Sequence, residues 1–364
     1  MGQKIIFANQ LRGIAAILVV ISHLIGVFYG GQEIIASATF TPNMHLSAPD
    51  WIGYLYVFSP KFNYGAFGVA IFFLISGFVI AFSLKRYAPG TFFIGRLLRI
   101  YPTYWACLAL SLLFLYLNTR YWQTDFTHSK KVIGLNALLI HNLFAIPSID
   151  LVNWTLSIEM KFYLIMALMG TALLGKQFTN IAVFALFTLV FAISYPQLSH
   201  PSLQSWQPVM ITLLMELNFV LFMFIGAMFY LHFTQTISTT DLIIRVAFLL
   251  LVFSIGWALG PIKEQFFGIT RNYYFGLLVF AICYVLRNYF KPNLMLDFFA
   301  NISYSLYLIH SLIGYSLLKI LIRYQVSFEI SLLISCIFIL ILAYLVHIWI
   351  EKPSTVFFKK FFAR

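Results

Sequence analysis

An arginine and a histidine lie in the first apolar stretch, where burying an ionisable side chain costs free energy. Arg12 is near the start of the stretch 9–29, and His23, eleven residues later, is near its middle. Eleven steps of about 100° return to nearly the same side of an α-helix, so both side chains face one way, with His23 about 16 Å deeper. A group at that depth must face a partner or a polar cavity. His23 is therefore either satisfied by a neighbouring helix or part of a functional site.

A carboxylate lies in a later apolar stretch, one to two turns from its start. This residue is Glu159, and Lys161 is too close along the chain to pair with it, because side chains two apart on a helix diverge. Glu159 therefore needs a partner on another helix, and His23 or Arg12 is the natural candidate. A carboxylate bonded to an imidazole fixes its tautomer and raises its basicity, which is chemistry suited to a general base.

Two further patterns place polar groups on one side of a helix. Ser303, Tyr307 and His310 have the spacing i, i+4, i+7. They form a stripe that either bonds a neighbouring helix or lines a cavity. Arg96 and Arg99, three apart, also share a face. They either anchor a helix at the membrane edge or hold the phosphates of a multiply phosphorylated cofactor, since arginine binds phosphate with two donors.

Composition identifies the elements that carry these residues as membrane-spanning helices. Of 364 residues, 62% are hydrophobic and 9% are charged, with a mean hydropathy of +0.91. Soluble domains carry about 25% charged residues, so we predict an all-α, polytopic transmembrane bundle. The net charge of +12 lies mostly in loops beside apolar runs, which argues against nucleic acid as a partner. Three cysteines and no clustered ligands predict neither a disulfide framework nor a metal site.

Hydropathy predicts ten spans in a single domain, 1–364. Basic residues number fourteen on the side of the N-terminus and seven on the other, so both termini are predicted to be cytoplasmic. The first span is predicted to be retained rather than cleaved as a signal peptide. The segment 130–146 is shorter and less apolar than the predicted spans, so it is predicted to be interfacial or re-entrant rather than spanning. The predicted spans are 10–30, 66–84, 99–117, 152–174, 179–195, 210–231, 242–260, 272–290, 302–321 and 329–350.

Three local features have a structural and a functional interpretation. Ser76-Gly77, in mid-span, either permits close helix contact or contributes to a site. Aromatic side chains in the outer loop 31–65 either anchor the chain at the interface or stack on sugar rings. Pro353, after Glu351, is predicted to end the last span at the cytoplasmic edge.

Taken in order, these motifs resemble those of the acyltransferase-3 family, integral-membrane enzymes that O-acetylate surface glycans. The match extends over nearly the whole chain, and its specificity comes from the ordered set. The motifs are Asn9-Gln-Leu with Arg12-x10-His23, Gly65-x-x-Gly68-Val69-x-x-Phe72-Phe73-x-Ile-Ser76-Gly77-Phe78, Arg96-Leu-Leu-Arg99-Ile-Tyr-Pro102, Trp154-x-Leu-x-x-Glu159, Ser303-Tyr304-x-x-Tyr307-x-x-His310 and Glu351-Lys-Pro353.

The resemblance implies transfer of an acyl group, usually acetyl from cytoplasmic acetyl-CoA, to a glycan hydroxyl at a bacterial inner membrane. Arg12 and His23 match the family's functional pair. The family often has another arginine where this chain has Gly95, and no esterase-like domain follows residue 364, so we expect a stand-alone transferase. The other expected contacts are Arg96, Arg99, Lys85 and Arg86 for the CoA phosphates, and Ser303, Tyr307, His310 and Trp154 for the acceptor glycan or lipid-linked sugar.

Two mechanisms are compatible with these residues. His23 acts as a general base on the acceptor hydroxyl, oriented by Glu159, or His23 is itself acylated and passes the group on. A proton-coupled transporter or glycan flippase is the alternative from another class, because it too would use buried Arg, His and Glu. The chain lacks the internal repeat that such transporters commonly show.

Overall fold

The computed structural model describes residues 5–56, 62–170, 178–198 and 201–362, and within these ranges the chain is helical, with no β-strand. Two π-helical segments, Ser22–Val27 and His347–Glu351, follow α1 and α13 directly. The α-helices are α1 (Ile6–Ile21), α2 (Phe28–Gly30), α3 (Gln32–Thr39), α4 (Tyr64–Arg86), α5 (Pro89–Trp122), α6 (Lys130–Ala137), α7 (Trp154–Met169), α8 (Thr179–Leu198), α9 (Gln207–Phe233), α10 (Thr239–Leu259), α11 (Phe266–Val285), α12 (Leu294–Arg323), α13 (Phe328–Val346) and α14 (Lys352–Phe362).

The helices confirm the predicted polytopic bundle. Among the described residues, eight helical segments are long and apolar enough to cross a membrane. The other two predicted spans coincide with shorter helices, Trp154–Met169 and the apolar segment Thr179–Tyr195. The number ten and the cytoplasmic termini therefore stay predictions. Four basic residues that entered the charge count lie outside the described residues: Lys4, Lys61, Lys176 and Arg364.

Helix α1 occupies the centre of the bundle, packed between α4 and α12. Polar residues at its start fix its position against the start of α12. The Asn9 side-chain amide donates to Asp297, and Gln10 Nε2 donates to the Lys291 carbonyl at 2.6 Å. Because both bonds tie the same ends of two long helices, they fix the axial register of α1 against α12. The residues further along both helices then meet at defined levels.

Helices α4 and α9 cross in backbone contact, and glycine permits it. A Cβ atom on Gly77 would lie 1.9 Å from the Met223 carbonyl oxygen, and one on Gly226 would lie 2.1 Å from the Leu74 carbonyl oxygen. No heavy atom can occupy those positions, so each helix presents a glycine to the other's backbone. The close-contact interpretation of Gly77 is therefore correct, and its neighbour Ser76 points elsewhere.

Replacing Gly77 with alanine is expected to destabilise the folded protein by about 2 kcal/mol, the range seen for overpacked contacts, because α4 and α9 must separate. Thermal unfolding of the detergent-solubilised protein measures this effect. Gly90→Ala is the matched control, since a Cβ there meets nothing within 4 Å. Equal melting temperatures for the two variants would contradict the close crossing.

The segment between α6 and α7, here called the inserted segment (residues 138–153), lies inside the bundle. Its backbone is held at the middle of two long helices: the Tyr101 hydroxyl donates to the Leu138 carbonyl at 2.9 Å, and the Tyr307 hydroxyl donates to the Val152 carbonyl at 3.0 Å. α6 has only eight residues, so it is too short to span. The inserted segment therefore ends inside the bundle, where α7 begins, and α7 has only 16 residues.

A partly buried ion pair joins the inserted segment to α7 and α9. Lys161 Nζ lies 3.0 Å from Glu216 Oε2, and Glu216 Oε1 accepts from Asn142 Nδ2 at 2.7 Å. The same lysine donates to Ser157 Oγ at 3.0 Å, while Ser157 donates to the Leu139 carbonyl at 3.0 Å. Lys161 therefore helps to hold the inserted segment in place and does not pair with Glu159.

The predicted helix end at Pro353 is wrong. The chain passes from α13 through the π-helical segment His347–Glu351 into α14, which begins at Lys352. Proline is tolerated in the first turn of a helix, where its missing N–H has least effect. The Ser354 and Thr355 hydroxyls both donate to the Glu351 carbonyl, at 2.9 and 3.0 Å.

Candidate active site

A polar cavity of about 370 Å³ lies towards the end of the bundle that holds the start of α1. It is built by helices distant in sequence, since α1, α4, α5, α7 and α12 meet there with the segment after α13. Its volume is in the range of small-molecule sites. The side chains that give it polar character are Asn9, Arg12, Ser76, Arg99, Glu159, Tyr163, Ser303, Tyr307, Glu351 and Thr355.

Glu159 is bonded to neutral hydroxyl groups in this cavity. Ser76 Oγ donates to Glu159 Oε1 at 2.7 Å, and the Tyr163 hydroxyl donates to the same oxygen. Of the two partners predicted for Glu159, His23 is therefore wrong, whereas Arg12 lines the same cavity without a direct ion pair to Glu159 in the described part of the chain. The predicted depth in the outer half is also wrong, because Glu159 shares a cavity with Asn9, near the start of α1. The partner and the depth of Glu159 were both predicted wrongly because the inserted segment already lies inside the bundle, so that α7 begins at mid-bundle.

A second carboxylate, which sequence reasoning treated only as part of a helix end, lines the same cavity. Glu351 Oε2 accepts from Ser305 Oγ at 2.8 Å and lies 2.9 Å from His347 Nδ1. Its position within the π-helical segment turns it inward, and it is 8% exposed. A glutamate at the end of an apolar run was the available signal, and the adjacent Lys352-Pro353 concealed it.

The guanidinium groups of Arg12 and Arg99 face the cavity without a bonded carboxylate. In the described part of the chain, no ion pair joins either arginine to Glu159 or Glu351. Those carboxylates instead bond hydroxyl groups and an imidazole. Two arginines that make no direct ion pair in a partly enclosed site favour an anionic ligand, because guanidinium pairs strongly with phosphate and carboxylate.

His23 lies deeper, beyond the cavity lining, in the π-helical segment after α1. Its Nδ1 is 2.7 Å from the Tyr315 hydroxyl, and its ring meets the His310 ring edge-on, with centroids 5.0 Å apart. Both partners belong to α12, which also lines the Arg12 cavity through Ser303. Arg12 lines the cavity and His23 lies beyond it against α12. π-helical turns are frequent at functional sites because they redirect side chains.

The hydrogen bonds of His310 assign its tautomer. Its Nδ1 lies 2.8 Å from the Tyr307 carbonyl, and a carbonyl only accepts, so Nδ1 carries the proton. In the neutral ring, Nε2 then carries the lone pair. This atom is buried and has no hydrogen-bond partner among the described residues. An unprotonated, unpaired imidazole nitrogen beside a second imidazole is the arrangement that proton transfer needs.

A narrow partition separates the cavity from the two histidines. Tyr307 and Phe72 line the cavity on one side, and they pack with Val19 and Val152 on the other. The Tyr307 hydroxyl is fixed by the Val152 carbonyl and by Thr155 Oγ1, at 3.0 and 2.8 Å. Tyr307 therefore lies between the cavity, which it lines, and His310, whose ring centroid is 5.7 Å from its own.

Aromatic rings fill the space on the other side of His23. Phe28 stacks on Tyr315 with centroids 6.4 Å apart, Phe328 stacks on Phe28 at 5.8 Å, and Trp51 stacks on Phe328 at 6.1 Å. The Trp51 indole also donates to Glu329 at 3.0 Å. These contacts give the aromatic residue of the outer loop a packing role, next to a carboxylate at the bundle surface.

Tyr315→Phe is expected to keep the fold and to lower the rate of acyl transfer about tenfold, because His23 loses the hydroxyl that fixes its ring. Initial rates with saturating donor measure this effect. Tyr274→Phe is the matched control, since it removes a buried tyrosine hydroxyl bonded to Ser254 at 2.7 Å, away from both histidines. Equal loss in both variants would contradict a positioning role for Tyr315.

The remaining predicted residues lie around the cavity rather than in its lining. Arg96 donates to Ser83 and rests against the Tyr163 ring, 5.7 Å from its centroid. Lys85 and Arg86 are exposed at the end of α4. Arg96 therefore contacts a residue of the cavity lining, Tyr163, but none of these three basic residues lines the cavity itself.

Trp154 and Gly95 both have packing roles. The Trp154 ring contacts Phe219, with centroids 5.4 Å apart, and does not line the cavity. At Gly95, where the family often has arginine, a Cβ atom would lie 2.5 Å from the Phe358 ring. Helix α14 therefore occupies the space that a longer side chain would need.

Comparison with known proteins agrees with this geometry. A family model described as an acyltransferase domain, Acyl_transf_3, matches residues 5–351, nearly the whole chain. Neither a search of curated proteins nor a search of solved structures finds a significant match. The matched range includes the arginines, both carboxylates of the cavity and the two histidines. The chain therefore belongs to the acyltransferase-3 family and is a membrane acyltransferase.

Proposed function

We propose that the protein moves an acetyl group from cytoplasmic acetyl-CoA to a hydroxyl of a cell-surface polysaccharide or lipid-linked glycan, such as O-antigen, at a bacterial inner membrane. The observation that carries this proposal is the arrangement of one polar cavity, with Arg12 and Arg99 in its lining and the His23–His310 pair beyond its inner end. The arginines would bind phosphate and the histidines would transfer protons, and both groups lie along one path through the bundle.

The donor end of this path is assigned to the basic residues. Arg12 and Arg99 are not bonded to carboxylates in the described part of the chain, so they are available to the phosphates of CoA. Arg96, Lys85 and Arg86 would add positive charge around the approach. The acyl-pantetheine arm would extend from there along Ser303 and Tyr307 towards His23.

The transfer step conserves atoms and charge under both mechanisms. In direct transfer, an imidazole accepts the proton of the acceptor hydroxyl while its oxygen attacks the thioester carbon. The C–S bond breaks, a C–O bond forms, and the proton passes to the CoA thiolate. In the stepwise route, a nitrogen of His23 attacks the thioester carbon and the C–S bond breaks. The acceptor oxygen then attacks the acyl carbon, the C–N bond breaks, and the proton of the acceptor hydroxyl passes by way of His23 to the CoA thiolate. Tyr315, rather than Glu159, orients His23 in either case.

Reconstituted vesicles test this proposal. Labelled acetyl-CoA is supplied on the side of the N-terminus and candidate glycans on the other side, and label on the glycan is measured together with free CoA. We expect label only with acetyl-CoA, an acceptor and folded protein all present. Protein-free vesicles control for spontaneous acetylation, and longer acyl-CoAs test the acyl group.

Two outcomes would overturn the proposal. Folded protein that neither labels any acceptor nor releases CoA would remove the transferase assignment from this site. Efficient transfer from longer acyl-CoAs without transfer from acetyl-CoA would replace the donor while leaving the path intact.

A further inference from the structure

A second polar pocket, of about 700 Å³, lies at the turn between α9 and α10. It shares no lining residue with the cavity near His23. Its walls come from the end of α9, the turn itself and the first turns of α10, together with Arg287 just beyond the end of α11. The proposed transfer reaction uses none of these residues.

One arginine in this pocket is held in place from several sides. Arg287 Nη1 donates to the Tyr284 carbonyl at 2.9 Å, and its Cζ lies 4.6 Å from the centre of the Tyr284 ring. The Phe233 ring is a second aromatic neighbour, 5.9 Å away. A guanidinium fixed in this way loses little conformational freedom when it binds a ligand.

The opposite walls add a second arginine and several polar groups. Arg245, on α10, lies with its Cζ 5.2 Å from the Phe178 ring. His232 lies 2.7 Å from the Tyr284 hydroxyl and 3.0 Å from Thr239 Oγ1, which fixes its ring. These bonds join the end of α9 to α10 and α11, so the pocket has a defined shape.

A single carboxylate, Asp241, lines the pocket and has a local function. Its Oδ2 accepts from the Ser238 N–H at 3.2 Å while its own N–H donates to Ser238 Oγ at 3.1 Å, the two contacts of a helix capping box. Among the described residues, two arginines and one carboxylate line the pocket. The balance of charge in the pocket is positive and suits an anion.

From these contacts we infer that the pocket binds the phosphate of an anionic phospholipid from the adjacent leaflet. Arg287 and Arg245 supply charge-assisted donors for the headgroup. Apolar side chains beside Arg287 are exposed where acyl chains would lie: Phe233 by 37%, Leu286 by 45% and Val285 by 69%. A soluble phosphate would gain nothing from these neighbours, whereas a lipid covers them. One arginine at a helix end is ordinary membrane anchoring, but two on separate helices that line one pocket form a site.

Native mass spectrometry of the detergent-purified full chain, with added phosphatidylglycerol, tests the inference. The Arg245→Gln/Arg287→Gln double variant is expected to hold this lipid about tenfold more weakly, the loss expected for hydrogen bonds to a charged group. Arg323→Gln is the matched control and should bind as wild type. That arginine also follows apolar helix turns and stacks on aromatic rings, 4.9 Å from Tyr121 and 4.5 Å from Trp122, outside the pocket.

Further arms separate the possible results. Diacylglycerol of equal chain length should not compete, and inorganic phosphate should not displace the lipid at equal concentration. If inorganic phosphate does displace it, the pocket binds a soluble anion and the lipid assignment is overturned. Equal lipid binding by wild type, double variant and control would remove the site.

A measurement on the wild type keeps the inference testable if the double variant does not fold. Phosphatidylglycerol carrying a photoreactive headgroup should label residues 232–245 and 284–287 in preference to the rest of the chain. Labelling confined to other residues would overturn the proposed site.

Discussion

Folded protein with alanine in place of His23 is expected to transfer acetyl groups about a thousandfold more slowly than wild type, the usual contribution of an essential acid–base group. The variant removes the imidazole that lies 2.7 Å from the Tyr315 hydroxyl and edge-on to the His310 ring. Vesicle assays with labelled acetyl-CoA measure the loss. His45→Ala, an exposed outer-loop histidine, is the control.

The same variant distinguishes the two mechanisms. Incubation of wild type with labelled donor and no acceptor should leave label on the protein only if His23 is acylated, and His23→Ala should then remove that label. Absence of label in wild type with active transfer would favour direct attack by the acceptor. Normal transfer by folded His23→Ala would exclude His23 from both.

The second large effect is expected at the arginines of the cavity. Arg12→Gln and Arg99→Gln should each raise the KM for acyl-CoA between about tenfold and a hundredfold, because each loses charge-assisted bonds to phosphate. The effect on kcat should be smaller. Initial rates over a range of donor concentrations separate the two constants, and thermal unfolding reports whether each variant is folded.

Arg323→Gln provides the comparison for both arginine variants, since it removes the same charge outside the cavity. An unchanged KM with a reduced kcat would contradict donor binding by Arg12 and Arg99. Those residues would then act on the reacting groups rather than on the phosphates.

Composition and spacing predicted the features that depend on one helix at a time. Apolar runs located the membrane helices, and the depth of Arg12 and His23 along one helix correctly separated a residue of the cavity lining from one beyond it. The stripe of Ser303, Tyr307 and His310 likewise lies along the path from cavity to histidine pair. These relations follow from the period of the α-helix alone.

Features that depend on how helices meet could not be read in this way. Hydropathy does not distinguish a short span from one that begins inside the bundle, so the depth and partners of Glu159 were predicted wrongly. Tyr315 carried no signal among 21 tyrosines, because its role comes from facing His23 across α1 and α12. Arg96 and Arg99 differ in the same way, since only Arg99 lines the cavity.

The two π-helical segments suggest how such a site can be added to a membrane helix. Each carries a residue of the path, His23 in one and Glu351 in the other. A π-turn contains one residue more than an α-turn, so a single inserted codon is enough to produce it. The flanking α-helical turns keep their lipid-facing and core-facing sides, and only the inserted turn presents a new direction. Chemistry can thus be gained through a change in chain length, without redesign of the surrounding packing.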